Sequence, residues 1–578
     1  MTARAGRGFV IALAAVVIVA GAPALFRPGY SPDEEFTVFA VRGIRAHGLP
    51  LLPSGLLYDR GLLYSYVSWL AGAATGLELP AFRGVSLLCS ASVSSLLYAL
   101  VRRVASPAAG VVAAMLVGMS LPFWAVATTG RFYAPFLLTC LGILVLLARG
   151  PRPELRWASP VGTWLPLAGL ALLSRLTHEL AFTLLAIPVA ALTASSVAHR
   201  RPWIGVSAAL AAGLIAGQVV LTALHFVVPG SGGSTMIQRF FLWQVLNLFE
   251  RPGGAPLGVV LAGLIVAWLI VPARAAFSLV VGTCAALAVL AIALVRAAAM
   301  NPAVLVPRQI VAEGLAYPLD MFWHLAGAHP TMVWMALALL VARLCGAGGR
   351  WPAGERAAHL GWVGWALWFG VIDSGITINY VLLPTVCLLA AVGIDLVAIG
   401  QHAAALWPGR RGQMTRAALT GAALLVIADQ WTGTGTLQHR LGTARPTIEV
   451  AGIEEVRQTL RPGDRVACTD ELACLLLVGR VDAWLALDDY VRDRFVVSQA
   501  SQRVGVYAGA PAAFGLRDLF APDAAGAPPA RLIVIDVFKD YPIGNSRSWL
   551  PRALDADHLQ ARSLLSTRQA RVVEVLEQ

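Results

Sequence analysis

Apolar windows of about 17–25 residues, each long enough to cross a bilayer as a helix, recur along most of this chain. Lipid cannot hydrogen-bond a peptide backbone, so each such segment must satisfy its own N–H and C=O groups, and at this length the helix does so. The windows fall near 8–26, 81–101, 107–127, 131–149, 160–177, 179–198, 202–228, 255–273, 276–297, 329–345, 357–373, 381–400 and 413–430. They predict a polytopic all-α membrane domain of about thirteen transmembrane helices over 1–430, followed by a small α/β domain over 431–578. Composition agrees: 58% of the 578 residues are hydrophobic and only 13% are charged.

Orientation follows from arginine, because all but Lys539 of the 44 Lys and Arg side chains are arginine. Arg4 and Arg7 precede the first span. Arg102-Arg103, Arg149, Arg152, Arg156, Arg200-Arg201, Arg343, Arg350, Arg356 and Arg410-Arg411 fall at boundaries that an alternating count puts on the same side. By the positive-inside rule that side is cytoplasmic. Arg27, Arg42, Arg45, Arg60 and Arg83 lie on the opposite side, beside an acidic run. The first span follows a short basic segment without a small-residue cleavage site and reads as retained. An odd count then places residues 431–578 outside a bacterial inner membrane.

The 431–578 segment carries 17 basic and 18 acidic side chains, which is no nucleic-acid footprint. Strands are predicted at Arg465–Asp470, Val481–Trp484, Arg531–Phe538 and Val572–Leu576, and helices at Glu471–Leu477 and Asp555–Thr567. It has no GxGxxG or GxxxxGK[ST], so nucleotide binding has no support. Asp470 and Asp536 end strands and read first as caps or turn acids. Cys468 and Cys474 share an exported segment where oxidation is permitted, but a spacing of six does not fix a Cα distance, so a disulfide stays open. Cys89, Cys140, Cys284, Cys345 and Cys387 fall in or beside spans as small apolar filler.

Polar residues on the outer side carry the candidate chemistry. Ser31-Pro32-Asp33-Glu34-Glu35 follows span one and leads into Phe36–Arg45, apolar at helical spacing. Ser31 as N-cap and Pro32 in the first turn explain the acids as a helix start. Alternatively, an interfacial helix holds Asp33 at constant depth as a general base. Glu35 reads as the solvated end of the run. Tyr58-Asp59-Arg60-Gly61 precedes a second amphipathic stretch, Leu62–Leu70, and Asp59-Arg60 is either a turn pair or a substrate contact. Arg131 is a snorkelling cation or a phosphate clamp, and Tyr133 an interfacial aromatic. Arg175 and Glu179 could pair at i,i+4, or Arg175 and His178 could form a polar patch against a phosphorylated lipid. Arg308, Asp320, Asp373, Asn379 and Tyr380 sit in later outer loops. A divalent cation is left open, with Glu34 and His225 as its weak candidates.

Five segments carry a family resemblance: Asp33-Glu34 in the first outer loop, Leu79-Pro80-Ala81-Phe82-Arg83-Gly84 entering span two, Arg131-Phe132-Tyr133 opening span four, Asn379–Pro384 entering a late span, and Gly479–Trp484 after the membrane region. In these the chain resembles the polyprenyl-phosphate-dependent membrane glycosyltransferases of the GT-C superfamily, of the aminoarabinose transferase and protein O-mannosyltransferase kind (glycosyltransferase family 39/83-like). The resemblance implies a polyprenyl-phosphate sugar donor and a lipid, glycan or protein acceptor. It implies Asp33 as catalytic base, Glu34 as its neighbour in the acceptor or metal region, and donor-phosphate or substrate contacts at Arg60, Arg131, Tyr133, Arg175, His178, Arg308 and Tyr380. The sequence departs from the family in having Asn379-Tyr380 where many relatives have Arg-Tyr, and in lacking the lysines that contact donor phosphate elsewhere. The expected reaction is inverting transfer on the outer face. A transporter or flippase for a lipid-linked or polar solute is the alternative of a different class.

Overall fold

The computed structural model describes residues 3–27, 29–31, 33–148, 160–178, 180–181, 184, 200–228, 330–347, parts of 351–362, 378–407, parts of 409–422, 453–487, 496–499, 502–522, 528–537, 550–566 and 570–576. The spans expected at 255–273 and 276–297, and Arg308, lie outside these residues. The described N-terminal part is helical: α1 (Ala3–Leu25), α2 (Glu34–His47), α3 (Leu62–Thr75), α4 (Leu79–Val104), α5 (Pro107–Gly118), α6 (Leu121–Ala127), α7 (Tyr133–Leu147), α8 (Pro160–Thr177), α9 (Arg200–Val227), α10 (Pro330–Leu344) and α11 (Ile378–Leu406). Gly8–Leu25, Leu79–Val104, Ile204–Val227 and Pro384–Leu406 are long and apolar enough to cross a membrane. The chain is a multi-pass membrane protein.

The window at 107–127 is two helices rather than one. Ser106 caps α5 by accepting the Ala109 amide at 3.2 Å, with Pro107 at the first helical position. Pro122 has no amide to continue α5 and instead opens α6. α4 runs through the centre, against α1, α3, α5, α6 and α7. The amphipathic α2 buries Val38 and Val41 with Ala81 and Phe82 of α4, and Ala40 with Leu52 and Tyr58. Gly43 lets the 49–57 segment close onto α2, since a Cβ there would lie 2.3 Å from the Leu51 carbonyl oxygen. Glu35 is buried on this helix, not solvated as its place at the end of the run suggested.

α10 and α11 are joined through buried charge. Arg343 ion-pairs with Asp395 at 3.3 Å and with Glu355, and His359 Nε2–H donates to Asp395 at 2.6 Å. Trp362 Nε1–H donates to His359 Nδ1 at 3.3 Å, which fixes the tautomer with its proton on Nε2. Arg343 is therefore committed inside the protein and is no measure of a basic membrane face.

Residues 453–576 form α12 (Ile453–Thr459), β1 (Asp464–Cys468), α13 (Glu471–Val478), β2 (Ala483–Leu485), β3 (Val496–Gln499), β4 (Gln502–Gly505), β5 (Ala512–Ala513), β6 (Arg531–Val537), α14 (Leu550–Asp557), β7 (Gln560–Ser566) and β8 (Ala570–Leu576). A six-stranded sheet has the order β5-β2-β1-β6-β8-β7, parallel from β5 to β6 and antiparallel beyond. β6 is buried on both faces: Leu532 and Val534 enter one core, Ile533, Ile535 and Val537 the other. Asp470 caps α13 through the Ala473 amide, and Cys468 and Cys474 form a disulfide with Cα atoms 6.4 Å apart. The helix expected over 555–567 ends at Asp557. Gln560–Ser566 instead pairs with β8, and this mostly exposed edge strand carries no two-residue apolar alternation to announce itself.

Among the described residues, α13 and the 505–510 loop seat this sheet region on the helical part. Leu476 of α13 packs on the Val38–Phe82 cluster. The 505–510 loop meets the 49–57 segment, where Ser54 N–H donates to the Tyr507 carbonyl at 3.1 Å and Ser54 Oγ–H to the Val506 carbonyl at 2.7 Å. Glu471 organises that loop, accepting the Tyr507 amide at 2.9 Å. Burial raises the Glu471 carboxyl to about 7 from an ordinary 4.5, against the Ala508, Tyr507 and Ala510 amides. An acid with a raised folded pKa contributes stability below its unfolded pKa and loses it as pH rises through the folded value. Melting temperature should therefore fall between about pH 5 and 8, and Glu471→Gln should flatten that slope. An unaltered slope in the variant rules Glu471 out as its source.

Candidate active site

Glu34 is the hub of the candidate site. Its side chain is fully buried, as is that of Arg83, and the two form a bidentate pair: Arg83 Nε–H to Oε1 at 2.9 Å and Nη2–H to Oε2 at 2.7 Å. The Gly130 amide donates to Oε1 at 2.6 Å and the Ser31 amide to Oε2 at 2.8 Å. Arg83 also donates to the carbonyls of Leu25, Arg27 and Gly29. Burial pushes the Glu34 carboxyl up, but the Arg83 hydrogen bonds and charge, with the Gly130 and Ser31 amides, outweigh it and hold the carboxyl below its usual range.

One carboxylate thus ties together the end of span one, the start of α4 and the 128–132 loop. Asp33 precedes it and Arg131 follows Gly130, so the hub sets both. Asp33, rather than Ser31, occupies the N-cap position of α2, with φ 73° and no cap hydrogen bond from its side chain. This left-handed conformation costs a non-glycine residue about 1 kcal/mol, and Asp is among those that tolerate it. The Ser31-x-x-Glu34 spacing gives half a capping box: Glu34 reaches back to the Ser31 amide, while Ser31 Oγ accepts from Arg27 at 2.9 Å.

Arg131 is 2% exposed and lies over the rings of Phe132 (4.5 Å) and Phe36 (5.6 Å). Its Nη1–H donates to the Tyr58 hydroxyl at 2.7 Å, and its Nε has no hydrogen-bond partner among the described residues. The Asp33 carboxylate acts on it electrostatically. Burial pushes the Tyr58 phenol up to about 12, against the charges of Arg131 and Arg60. Tyr58 therefore keeps its proton at physiological pH while accepting from Arg131. Arg60 lies over the other side chain that flanks Arg131, Phe132, at 5.7 Å. Phe36 stacks on Tyr58, with centroids 5.5 Å apart.

The other expected site residues divide. His178 sits among Phe132, Tyr133 and Phe136, its Nδ1 accepting the Leu180 amide at 3.0 Å. It and Tyr133 thus adjoin Phe132, and through it Arg131. Arg175 is buried and donates through Nε (3.1 Å) and Nη2 (2.5 Å) to Gln218 of α9; Glu179, its expected partner, lies outside the described residues. Tyr380 lies in α11, and its side chain is likewise outside the description. Glu34 and His225, the weak cation candidates, are each engaged by other groups among the described residues. Both Glu34 oxygens accept from Arg83 and amides, and His225 Nε2–H donates to Asp59 at 3.1 Å. Among the described residues no group of three or more His, Cys, Asp or Glu could hold a metal ion. Sequence reasoning passes over Phe36, Tyr58 and the Arg83 partnership; an arginine inside the apolar window after Leu79 was the available signal for the last.

No family model matches the sequence, and no curated protein does. Among solved structures, the chain is similar to ArnT from Cupriavidus metallidurans bound to undecaprenyl phosphate, at 14% identity and a TM-score of 0.42 over 98% of each chain. It is similar to the archaeal oligosaccharyltransferase AglB from Archaeoglobus fulgidus in complex with an inhibitory peptide and a dolichol-phosphate, at 11% identity and 0.48 over 96% of this chain and 72% of that one. A third likeness is to the arabinofuranosyltransferase AftD from Mycobacteria, at 14% and 0.44 over 98% of this chain and 40% of that one. These are proteins of the kind that the sequence resembles; at such identities and TM-scores they assign no residue a role.

The hub predicts its own energetics. Glu34→Ala leaves a buried guanidinium without its counter-charge and should cost about 3–5 kcal/mol. A Glu34→Leu/Arg83→Met double variant should recover much of the melting temperature that either single change loses. A double variant no more stable than the worse single one would show that the amide contacts, not the ion pair, dominate.

Proposed function

We propose that this protein transfers a sugar from a polyprenyl-phosphate donor to a cell-envelope lipid, glycan or protein on the outer face of the membrane, with inversion. The observation that carries this reading is Arg131: a buried guanidinium lying over two aromatic rings, hydrogen-bonded to a neutral phenol, with no partner for Nε among the described residues, and under the electrostatic influence of the Asp33 carboxylate. A planar guanidinium in such a setting suits a phosphate oxygen, and an adjacent carboxylate suits a hydroxyl proton. The sequence resemblance names the same chemistry.

In the reaction, Asp33 accepts the acceptor's hydroxyl proton as that oxygen attacks the anomeric carbon. The bond from that carbon to the phosphate oxygen breaks, and its electron pair leaves with the polyprenyl phosphate. Arg131 stabilises the growing phosphate charge and Tyr58 donates its retained proton as a hydrogen bond. Glu34 positions both groups and takes no part in proton transfer. Arg60, Arg175, His178 and Tyr133 are the further residues assigned to the donor, and Arg308 and Tyr380, which lie outside the described side chains, are assigned to it from the sequence alone.

This reading keeps residues 1–430 as a membrane domain of about thirteen spans with its N-terminus cytoplasmic. Residues 431–578 form the extracytoplasmic α/β domain of a bacterial inner-membrane protein, for which the Cys468–Cys474 disulfide is supporting chemistry.

Asp33→Asn should lower transfer from a labelled polyprenyl-phosphate sugar about 10²–10⁴-fold with an unchanged melting temperature; undiminished turnover would sink the base assignment. Arg131→Lys loses the planar fork and its stacking, and should raise the donor KM by about ten-fold or more.

A further inference from the structure

The C-terminal sheet region reaches the proposed phosphate site through one side chain. Tyr507 projects from the 505–510 loop and meets Phe36 edge-on, with ring centroids 4.8 Å apart at 81°. Phe36 lies in turn against Tyr58, nearly parallel at 15°, and beneath the Arg131 guanidinium. Tyr58 accepts the Arg131 hydrogen bond. Four side chains from three distant stretches of sequence therefore form one contact chain, Tyr507–Phe36–Tyr58–Arg131, and its end on the sheet region is fixed. The loop is closed on itself by Gly505 N–H to the Ala510 carbonyl (2.8 Å) and Gly509 N–H to the Gly505 carbonyl (3.0 Å). The Glu471 carboxylate takes the Tyr507 amide, and Ser54 takes the loop's carbonyls.

We propose that Tyr507 is a positioning residue for donor recognition: its ring sets the tilt of Phe36, and Phe36 sets the plane in which Tyr58 and Arg131 meet the donor's phosphate. The inference rests on the reading of Arg131 as the phosphate contact. It gives the sheet region a part in the site itself. An edge-to-face contact fixes ring orientation because the positive edge of one ring seeks the negative face of the other. A guanidinium over a tilted ring loses both cation–π attraction and alignment with its hydroxyl partner. Arg131 meets the phosphate in the bound donor as well as in the transition state, and a loss of alignment shared by both states is read in donor binding and KM.

The test compares variants of the full chain in lipid nanodiscs, measuring undecaprenyl phosphate binding, donor KM and kcat. Tyr507→Ala should weaken undecaprenyl phosphate binding and raise donor KM about three- to ten-fold, with kcat nearly unchanged. Tyr507→Phe keeps the ring and should restore both. Ser54→Ala removes a docking hydrogen bond of the same loop but leaves the rings in place, and should bind like the unaltered protein. Equal weakening by Ser54→Ala and Tyr507→Ala overturns the proposal in favour of general docking. If Tyr507→Ala binds normally while Arg131→Ala does not, the Tyr507 role falls and the phosphate site stands. If Arg131→Ala also binds normally, the phosphate reading itself falls and the Tyr507 role with it.

Discussion

A carboxylate and a guanidinium taken fully out of water are expensive, and the architecture around α2 and α4 depends on how Glu34 and Arg83 offset that cost. Desolvation of each ion is worth several kcal/mol, and attraction returns it only when geometry is good and the remaining donors and acceptors are filled. Here they are filled: two parallel bonds join the ions, two amides complete Glu34, and three carbonyls share Arg83. Each added partner is also a piece of backbone fixed in place. The pair matters less for any energy it adds than for the segments it obliges to stay together.

That arrangement explains why the acidic run divides its labour. Glu34 is held ionised by its partners and has its oxygens occupied, so it is a poor proton acceptor for anything else. Asp33, one residue earlier, is turned away from capping by a left-handed backbone and interacts with Arg131 across the site. A helix start governed only by local capping would use Asp33 on the first-turn amides. The long-range demands of Arg83 and Gly130 take over Glu34 instead, and the turn that delivers Glu34 to them leaves Asp33 at the N-cap position without a capping hydrogen bond.

Local features of the fold were legible in the sequence, and its long-range pairings were not. The apolar periodicity of Phe36–Arg45 and Leu62–Leu70 marks α2 and α3, and the β-branched run at Arg531 marks β6, because those patterns repeat within a few residues. Asp470 as a cap is likewise a local property. Glu34 is different: Arg83 lies 49 residues away and Gly130 96 away, and nothing near Glu34 declares either. Glu35, read as solvated, is buried for the same reason, since the face that α2 presents inward is decided by α4 and the 49–57 segment. His225 finds Asp59, 166 residues distant, rather than Glu34. Of the candidate site, the identities of Asp33, Arg60, Arg131 and His178 could be picked out as polar groups in apolar surroundings. The aromatic frame of Phe36, Tyr58 and Phe132 could not, because aromatic residues at a membrane interface are ordinary.

That frame also accounts for an arginine rather than a lysine at position 131. A lysine ammonium is a point charge that needs a shell of acceptors, which a site built of phenyl rings does not offer. A guanidinium is planar and weakly hydrated, and it tolerates burial against aromatic faces while keeping edge donors for a ligand. With Tyr58 held neutral by its high pKa, the phenol does not cancel the Arg131 charge, and the carboxylate of Asp33 acts on that charge electrostatically.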